Sequence, residues 1–194
     1  MNHLINKALA AGFTRAVWLD GLRIECEARL REYCNPEGCP QHGSNWVCPP
    51  GCGSLDECAQ KVRRFDKGIL LQSVSEMNPL IKDLDRYKEL NRIHNFRLRG
   101  FLEAHCNNDM DVLALTSGGC VFCEGCSFPA PCIKPGLRMN SLSAYGIDVG
   151  KLCEMAELEY SFRPDKVYYA ALVLVNDWVY SFNTGPCPTR KVPL

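Results

Sequence analysis

The sequence predicts an α/β or α+β sandwich, in which a small mixed sheet with flanking helices carries two cysteine-rich metal-binding loops. Apolar runs of strand length are separated by helical patterns of ten or more residues, an order typical of such sandwiches. A length of 194 residues suits one domain with a continuous core. Cysteine, glycine and proline are concentrated at about 26–53 and 118–140, where the regular patterns stop. We therefore expect a single domain over residues 1–194 with one cysteine-rich loop in each segment.

The N-terminal elements are short. Leu4, Ile5, Ala8 and Leu9 recur at helical spacing, and Gly12 is suited to end that helix. The following residues predict a strand over 13–19, a turn at 20–21 and a short helix over 23–31. No periodicity continues from there to residue 50, so this part is expected to be irregular.

The middle of the chain has more regular patterns. Ser54 and Glu57 have the spacing of a capping box, which predicts a helix over 54–66. Residues 68–74 (GILLQSV) are typical of a buried strand. A long helical pattern with one apolar face then covers 80–105.

Four more elements are predicted towards the C-terminus. They are a strand over 111–116, helices over 141–145 and 149–160 around a break at Gly146, and a strand over 167–175, followed by a coil over 183–194. The strands at 69–74, 111–116 and 167–175 are expected to be central in the sheet, and the strand at 13–19 is a candidate to join them.

Charge and hydropathy exclude two classes of partner. The 22 Lys and Arg residues balance the 22 Asp and Glu residues, so no net field attracts nucleic acid or an anionic membrane. The longest apolar run, 167–175, is far shorter than the roughly 20 residues of a membrane-spanning helix. The N-terminal residues do not have the pattern of a secretory signal. We expect a soluble, cytoplasmic protein.

The chain contains 13 cysteines. An odd number excludes a complete set of internal disulfides, and in a reducing cytosol a dense cysteine pattern indicates metal binding or catalysis. The sequence contains no phosphate-binding glycine loop, nucleophile elbow or HExxH motif. It therefore identifies no catalytic residue and leaves open whether the protein is an enzyme.

The second cysteine-rich segment has the more specific spacing. Three cysteines at successive intervals of three allow one loop to reach three corners of a [4Fe–4S] cluster, as in ferredoxins, and a fourth follows six residues later instead of four. Its glycines supply the backbone freedom that such a loop needs. The predicted cluster ligands are Cys120, Cys123, Cys126 and Cys132.

Two other interpretations of this segment remain open. Structural zinc sites use paired cysteines separated by a longer stretch, which fits the third cysteine less well. A thioredoxin-like redox motif requires a helix that begins at the cysteines, whereas Pro129, Pro131 and Pro135 follow here. Iron–sulfur binding therefore explains the segment best.

The first cysteine-rich segment predicts a second metal site, with an iron–sulfur cluster favoured over zinc. Its spacing matches no standard template of a zinc or ferredoxin site. A loop so rich in proline and glycine has little else to fix its conformation, which favours a bound metal. The candidate ligands are Cys34, Cys39, Cys48 and Cys52. The other cysteines, Cys26, Cys58, Cys106, Cys153 and Cys187, are interpreted as packing or surface thiols.

Two residues near these segments have alternative interpretations. Trp46 either shields a cluster from water or belongs to a local core. Arg138 either binds an anion or donates to a cluster sulfide, or it forms a surface salt bridge.

The combined motifs resemble a known family. The order CxxxxC, NWVCPP, GGCVFCEGC and RMNSLSAYGIDV, over about 34–149, is similar to the cysteine-rich "predicted metal-binding proteins" of unknown function found mainly in anaerobic bacteria and archaea. The resemblance implies three ligands in the first segment and four in the second, and it does not extend to Cys52. A cluster with only three protein thiolates would leave one iron open.

Three functions follow as hypotheses. The first is an iron–sulfur protein with one or two [4Fe–4S] clusters that transfers electrons to a redox partner protein in anaerobic metabolism. The second is an enzyme or activator that uses an open-iron cluster on a small substrate. The third is a zinc-organised binding module without redox chemistry.

Overall fold

The computed structural model describes residues 2–78, 83–106 and 110–176. Within these ranges it has the predicted α+β class, a mixed five-stranded sheet with helices on both faces. The strands are β1 (Arg15–Asp20), β2 (Lys67–Glu76), β3 (Val112–Thr116), β4 (Asn140–Ser141) and β5 (Lys166–Val175). The helices are α1 (Asn2–Ala10), α2 (Ala28–Arg31), α3 (Leu55–Val62), α4 (Leu84–His105) and α5 (Val149–Met155).

The strand order in the sheet is β1-β2-β5-β3-β4. The first three neighbouring pairs are antiparallel, and β3 and β4 are parallel. The longest ladder joins β2 to β5, from Lys67 opposite Val175 to Glu76 opposite Lys166. The N-terminal strand joins the sheet as its edge.

Alternating side chains of β5 separate two cores, as the twofold period of a strand requires. Ala170, Leu172 and Leu174 point to the face covered by α3 and α5. Ala171 and Val173 point to the opposite face, which is covered by α1 and α4. Because both faces are covered, the strand is apolar on both faces from Ala170 to Val175, which explains why its sequence pattern is so strong.

Three predicted helices are shorter in the structure. The capping box is present, with Ser54 Oγ accepting from the Glu57 amide at 3.2 Å, but α3 ends at Val62 because Phe65 turns into the core. The helix predicted over 149–160 ends at Met155, since Glu157 has a left-handed φ of 54°. Of the short helix predicted over 23–31, only α2 forms.

The segment predicted as a helix over 141–145 is a different structure. It contains the end of β4 and a single 3₁₀ turn over Ser143–Tyr145. The predicted break at Gly146 is confirmed, because this glycine has a φ of +68° and a Cβ there would stand 2.7 Å from the Glu27 carbonyl oxygen. Residues 80–82 of the predicted long helix and the coil over 183–194 lie outside the described residues.

The cysteine-rich segments become two loops. Residues 32–54, here called the first cysteine loop, connect α2 to α3, and residues 117–139, the second cysteine loop, connect β3 to β4. None of the helices in the described ranges combines the length and apolar character needed to cross a lipid bilayer.

Candidate metal centre

The second cysteine loop begins at a fixed point on the sheet. Ser117 Oγ donates to the Ala170 carbonyl at 2.9 Å and accepts from the Ala170 amide at 3.0 Å. Gly118 then turns the chain away with a φ of +80°, and a Cβ at this position would stand 2.6 Å from the Asn91 amide nitrogen. The loop therefore needs a glycine to leave the strand and approach α4 closely.

The structure brings four thiols of this loop together around one depression. Its volume is about 410 Å³, part of which is open to solvent. The thiol of Cys126 is exposed and the other three are half-buried. The thiols are those of Cys120, Cys123, Cys126 and Cys132.

The electrostatics of these thiols suit a bound cation. Burial raises the pKa of Cys120, and the neighbouring thiols of Cys123, Cys126 and Cys132 raise it further. A bound metal offsets the free-energy cost of ionising these thiols, because its positive charge stabilises each thiolate and reduces the repulsion between them. Among the described residues that line the depression, sulfur is the only soft donor, and sets of thiolates select zinc, Cu(I) or iron–sulfur clusters.

Apolar walls cover part of the depression. Phe122, between the first two cysteines, is buried and contacts the ring of Phe96 on α4, with ring centroids 5.2 Å apart. Lys134 Nζ donates to the Phe122 carbonyl at 2.9 Å and so ties the two ends of the loop together. Arg99 Nη1 donates to the Gly136 carbonyl at 2.7 Å, which anchors the loop to α4.

The first cysteine loop supplies another wall of the same depression. Trp46 Nε1 donates to the Ala130 carbonyl at 3.0 Å, and its ring packs edge-on against Phe128 with centroids 5.1 Å apart. A Cβ on Gly51 would stand 3.1 Å from the Phe128 ring, so the two loops are closely packed. The sequence placed Trp46 beside Cys48, whereas in the fold it lines the depression of the other loop.

Three thiols of the first cysteine loop are also neighbours. Burial raises the pKa of Cys34, and the nearby thiol of Cys39 adds to this increase. Burial likewise raises the pKa of Cys48 to about 11, with Cys39 and Cys34 among the smaller causes. The structure therefore gathers Cys34, Cys39 and Cys48 in one region of the loop.

Cys52 is near Cys48 and also near Cys58. Its thiol donates to the Gly53 carbonyl at 3.7 Å, and the thiol of Cys58 on α3 donates to the Cys52 carbonyl at 3.7 Å. Arg31 Nη1 donates to Cys58 Sγ at 3.8 Å. The neighbouring thiol of Cys52, followed by Arg31, holds the pKa of Cys58 below its ordinary value, whereas the pKa of Cys52 is raised by the Cys58 thiol and by burial. Cys58 is fully buried in the core, as its predicted packing role requires, and it also contacts Arg31.

Arg31 has a structural role that no pattern in the sequence indicates. Its guanidinium is half-buried, and it donates to the Gly53 carbonyl at 2.6 Å and to the Ala144 carbonyl. It forms no ion pair with a carboxylate in the described part of the chain. The side chain therefore links the first cysteine loop to the 3₁₀ turn after β4, and its charge faces thiols.

The remaining cysteines lie outside these two groups of thiols. Cys26 and Cys106 are half-buried, Cys153 is buried, and Cys187 lies outside the described residues. In the described ranges, no group of three or more His, Cys, Asp or Glu side chains is arranged to hold a single metal ion.

Comparison with known proteins identifies one relationship. A family model described as "Predicted metal-binding protein (DUF2284)" matches residues 17–175. No curated protein and no solved structure matches the chain.

Proposed function

Because the chain belongs to the DUF2284 family of predicted metal-binding proteins, we propose that it is an iron–sulfur protein that transfers single electrons. The family match confirms the resemblance found in the cysteine motifs. In this proposal, Cys120, Cys123, Cys126 and Cys132 hold a [4Fe–4S] cluster. The protein is a cytoplasmic carrier that exchanges electrons with a redox partner protein in anaerobic metabolism.

The observation that carries the proposal is the common depression of the four thiols. Their spacing in the sequence suits a loop that wraps one cluster, and in the fold all four side chains line the same space. Glycines at the start of the loop and at Gly125 allow backbone amides to approach a cluster. A cluster held in this way supplies a site that accepts and releases one electron.

The chain's own residues have three roles in this centre. The thiols bind as thiolates, while Phe122 and Trp46 limit the access of water to the depression. Lys134 and Arg99 fix the loop through its carbonyl oxygens, so the thiols keep their places. Cys126 is the exposed thiol, so a partner on the surface would exchange electrons with the centre from this side.

Visible absorption tests the proposal directly. Protein purified without oxygen should be brown, with broad visible absorbance that bleaches when dithionite is added. A colourless protein that contains zinc in stoichiometric amount would contradict the proposal and support the zinc-organised binding module.

Replacing Trp46 should expose the centre. We expect Trp46→Ala to bleach in air at least about threefold faster than the wild-type protein, because the ring that covers the depression and its bond to Ala130 are lost. Trp46→Phe keeps an aromatic ring against Phe128 and should bleach at an intermediate rate. The measurement is the decay of visible absorbance after exposure to air. Equal rates for all three proteins would show that Trp46 does not shield the centre.

A second metal site on Cys34, Cys39 and Cys48, with Cys52 as the candidate fourth ligand, is part of the proposal. The second candidate function is an enzyme or activator with an open iron at this site. It is favoured by one observation, which is that the Cys52 thiol already has a partner, the Gly53 carbonyl at 3.7 Å. With three thiolates, the site would keep one position for a small substrate.

Cys52→Ser distinguishes a first-loop site with four thiolates from one with three thiolates and an open iron. If only three thiolates bind, the variant should contain as much iron and acid-labile sulfide as the wild-type protein. Cys48→Ser is the matched comparison, since it removes a thiol of the three-membered group and should lower both contents. Loss of about four iron atoms from Cys52→Ser would show that Cys52 is a ligand and that no iron is open.

A further inference from the structure

Two cations line the same depression as the four thiols. They are Lys134 and Arg138. In the described part of the chain, neither of them forms an ion pair with a carboxylate. Arg99, which anchors the same loop, differs in this respect because it pairs with Glu103 at 2.7 Å. The salt bridge that the sequence analysis offered for Arg138 is therefore absent from the described residues.

The surroundings of the two cations differ. Lys134 Nζ donates to the Phe122 carbonyl, and this hydrogen bond also stabilises the loop. The guanidinium of Arg138 stands 6.0 Å from the centroid of the Trp46 ring and donates to no side chain or carbonyl in the described ranges. Arg138 therefore does not hold the loop in place, and we expect it to affect the four thiols through its positive charge.

We propose that Lys134 and Arg138 are counter-charges that raise the reduction potential of the centre held by Cys120, Cys123, Cys126 and Cys132. This inference rests on the proposed iron–sulfur function. It assigns to the two residues a positioning and electrostatic role, since neither is a ligand.

The physical reason is Coulomb's law applied to one added electron. Reduction transfers one electron from a low-potential one-electron donor to the centre, with no bond made or broken in the protein. The added negative charge lies beside Lys134 and Arg138, so both cations stabilise the reduced state more than the oxidised state. Both side chains are exposed, and solvent therefore weakens the effect without removing it.

The test is a redox titration of Arg138→Gln and Lys134→Gln, followed by visible absorbance. At a fixed applied potential, each variant should show a ratio of reduced to oxidised protein at least about threefold lower than the wild-type protein. For a one-electron couple this is a decrease of about 28 mV in midpoint potential. Arg138→Lys keeps the charge and should restore the wild-type value.

Two controls match the change in charge. Arg163→Gln and Lys88→Gln remove the same charge at exposed ion pairs that do not line the depression, and their potentials should equal that of the wild-type protein. Iron and sulfide contents are measured for every variant. A wild-type protein without iron would refute the proposed function itself.

If the wild-type protein holds a cluster, the outcomes concern this inference alone. Variants that keep the cluster and the wild-type potential would overturn it. Loss of the cluster from Arg138→Gln would also overturn it, because Arg138 does not anchor the loop and the inference assigns its charge to the potential and not to the retention of iron.

Discussion

Cys120→Ser should remove the visible absorbance and most of the iron of the second cysteine loop. Cys120 is half-buried at the start of the loop, beside the three other thiols that line the depression. A serine hydroxyl is a poor ligand for iron by comparison with a thiolate. The measurement is the iron content and visible spectrum of protein purified without oxygen.

Cys106→Ser is the matched control for that experiment. Cys106 is another half-buried cysteine, but it lies at the end of α4 and outside both cysteine loops. This variant should keep the absorbance and iron of the wild-type protein. If Cys120→Ser also kept them, the assignment of the cluster to the second cysteine loop would be wrong.

Arg31→Met should lower the free energy of unfolding by about 2 kcal/mol, since it leaves two carbonyl oxygens without a strong donor. These oxygens belong to Gly53 and Ala144, which lie at the two places that Arg31 joins. Methionine retains a similar apolar length, so the loss of packing is small. Chemical denaturation of the protein before metal is added gives the stability change without a contribution from bound iron.

Arg29→Met tests whether the loss of stability comes from the hydrogen bonds of Arg31 and not from the removal of any arginine of α2. Arg29 is on the same helix and pairs with Glu27 and Asp148, but its side chain is 60% exposed. Exposed pairs contribute less than about 1 kcal/mol, so the expected change is correspondingly small. Equal destabilisation by the two variants would contradict the role assigned to Arg31.

Local signals in the sequence predicted much of the fold. The capping box of Ser54 and Glu57 is satisfied by residues three positions apart, and the apolar pattern at 167–175 follows from burial of both faces of β5. β4 was not predicted, because a strand of two residues exists only through its pairing with β3. The end of α5 at Glu157 has no glycine to mark it.

In the candidate site too, features formed by residues close in sequence could be predicted, and features formed by distant residues could not. The four thiols of the second cysteine loop lie within thirteen residues, so their spacing was enough to predict that they meet. The wall formed by Trp46 depends on contact with Ala130, 84 residues away. The link between Arg31 and Ala144 spans 113 residues. Neither contact leaves a periodic or local signal, and both become visible only in the folded chain.

The most direct test of the central claim is the iron and acid-labile sulfide content of protein purified without oxygen. We expect about four iron and four sulfide per chain for the centre at Cys120, Cys123, Cys126 and Cys132, and about eight of each if the first cysteine loop also holds a cluster. Stoichiometric zinc without acid-labile sulfide would contradict the account.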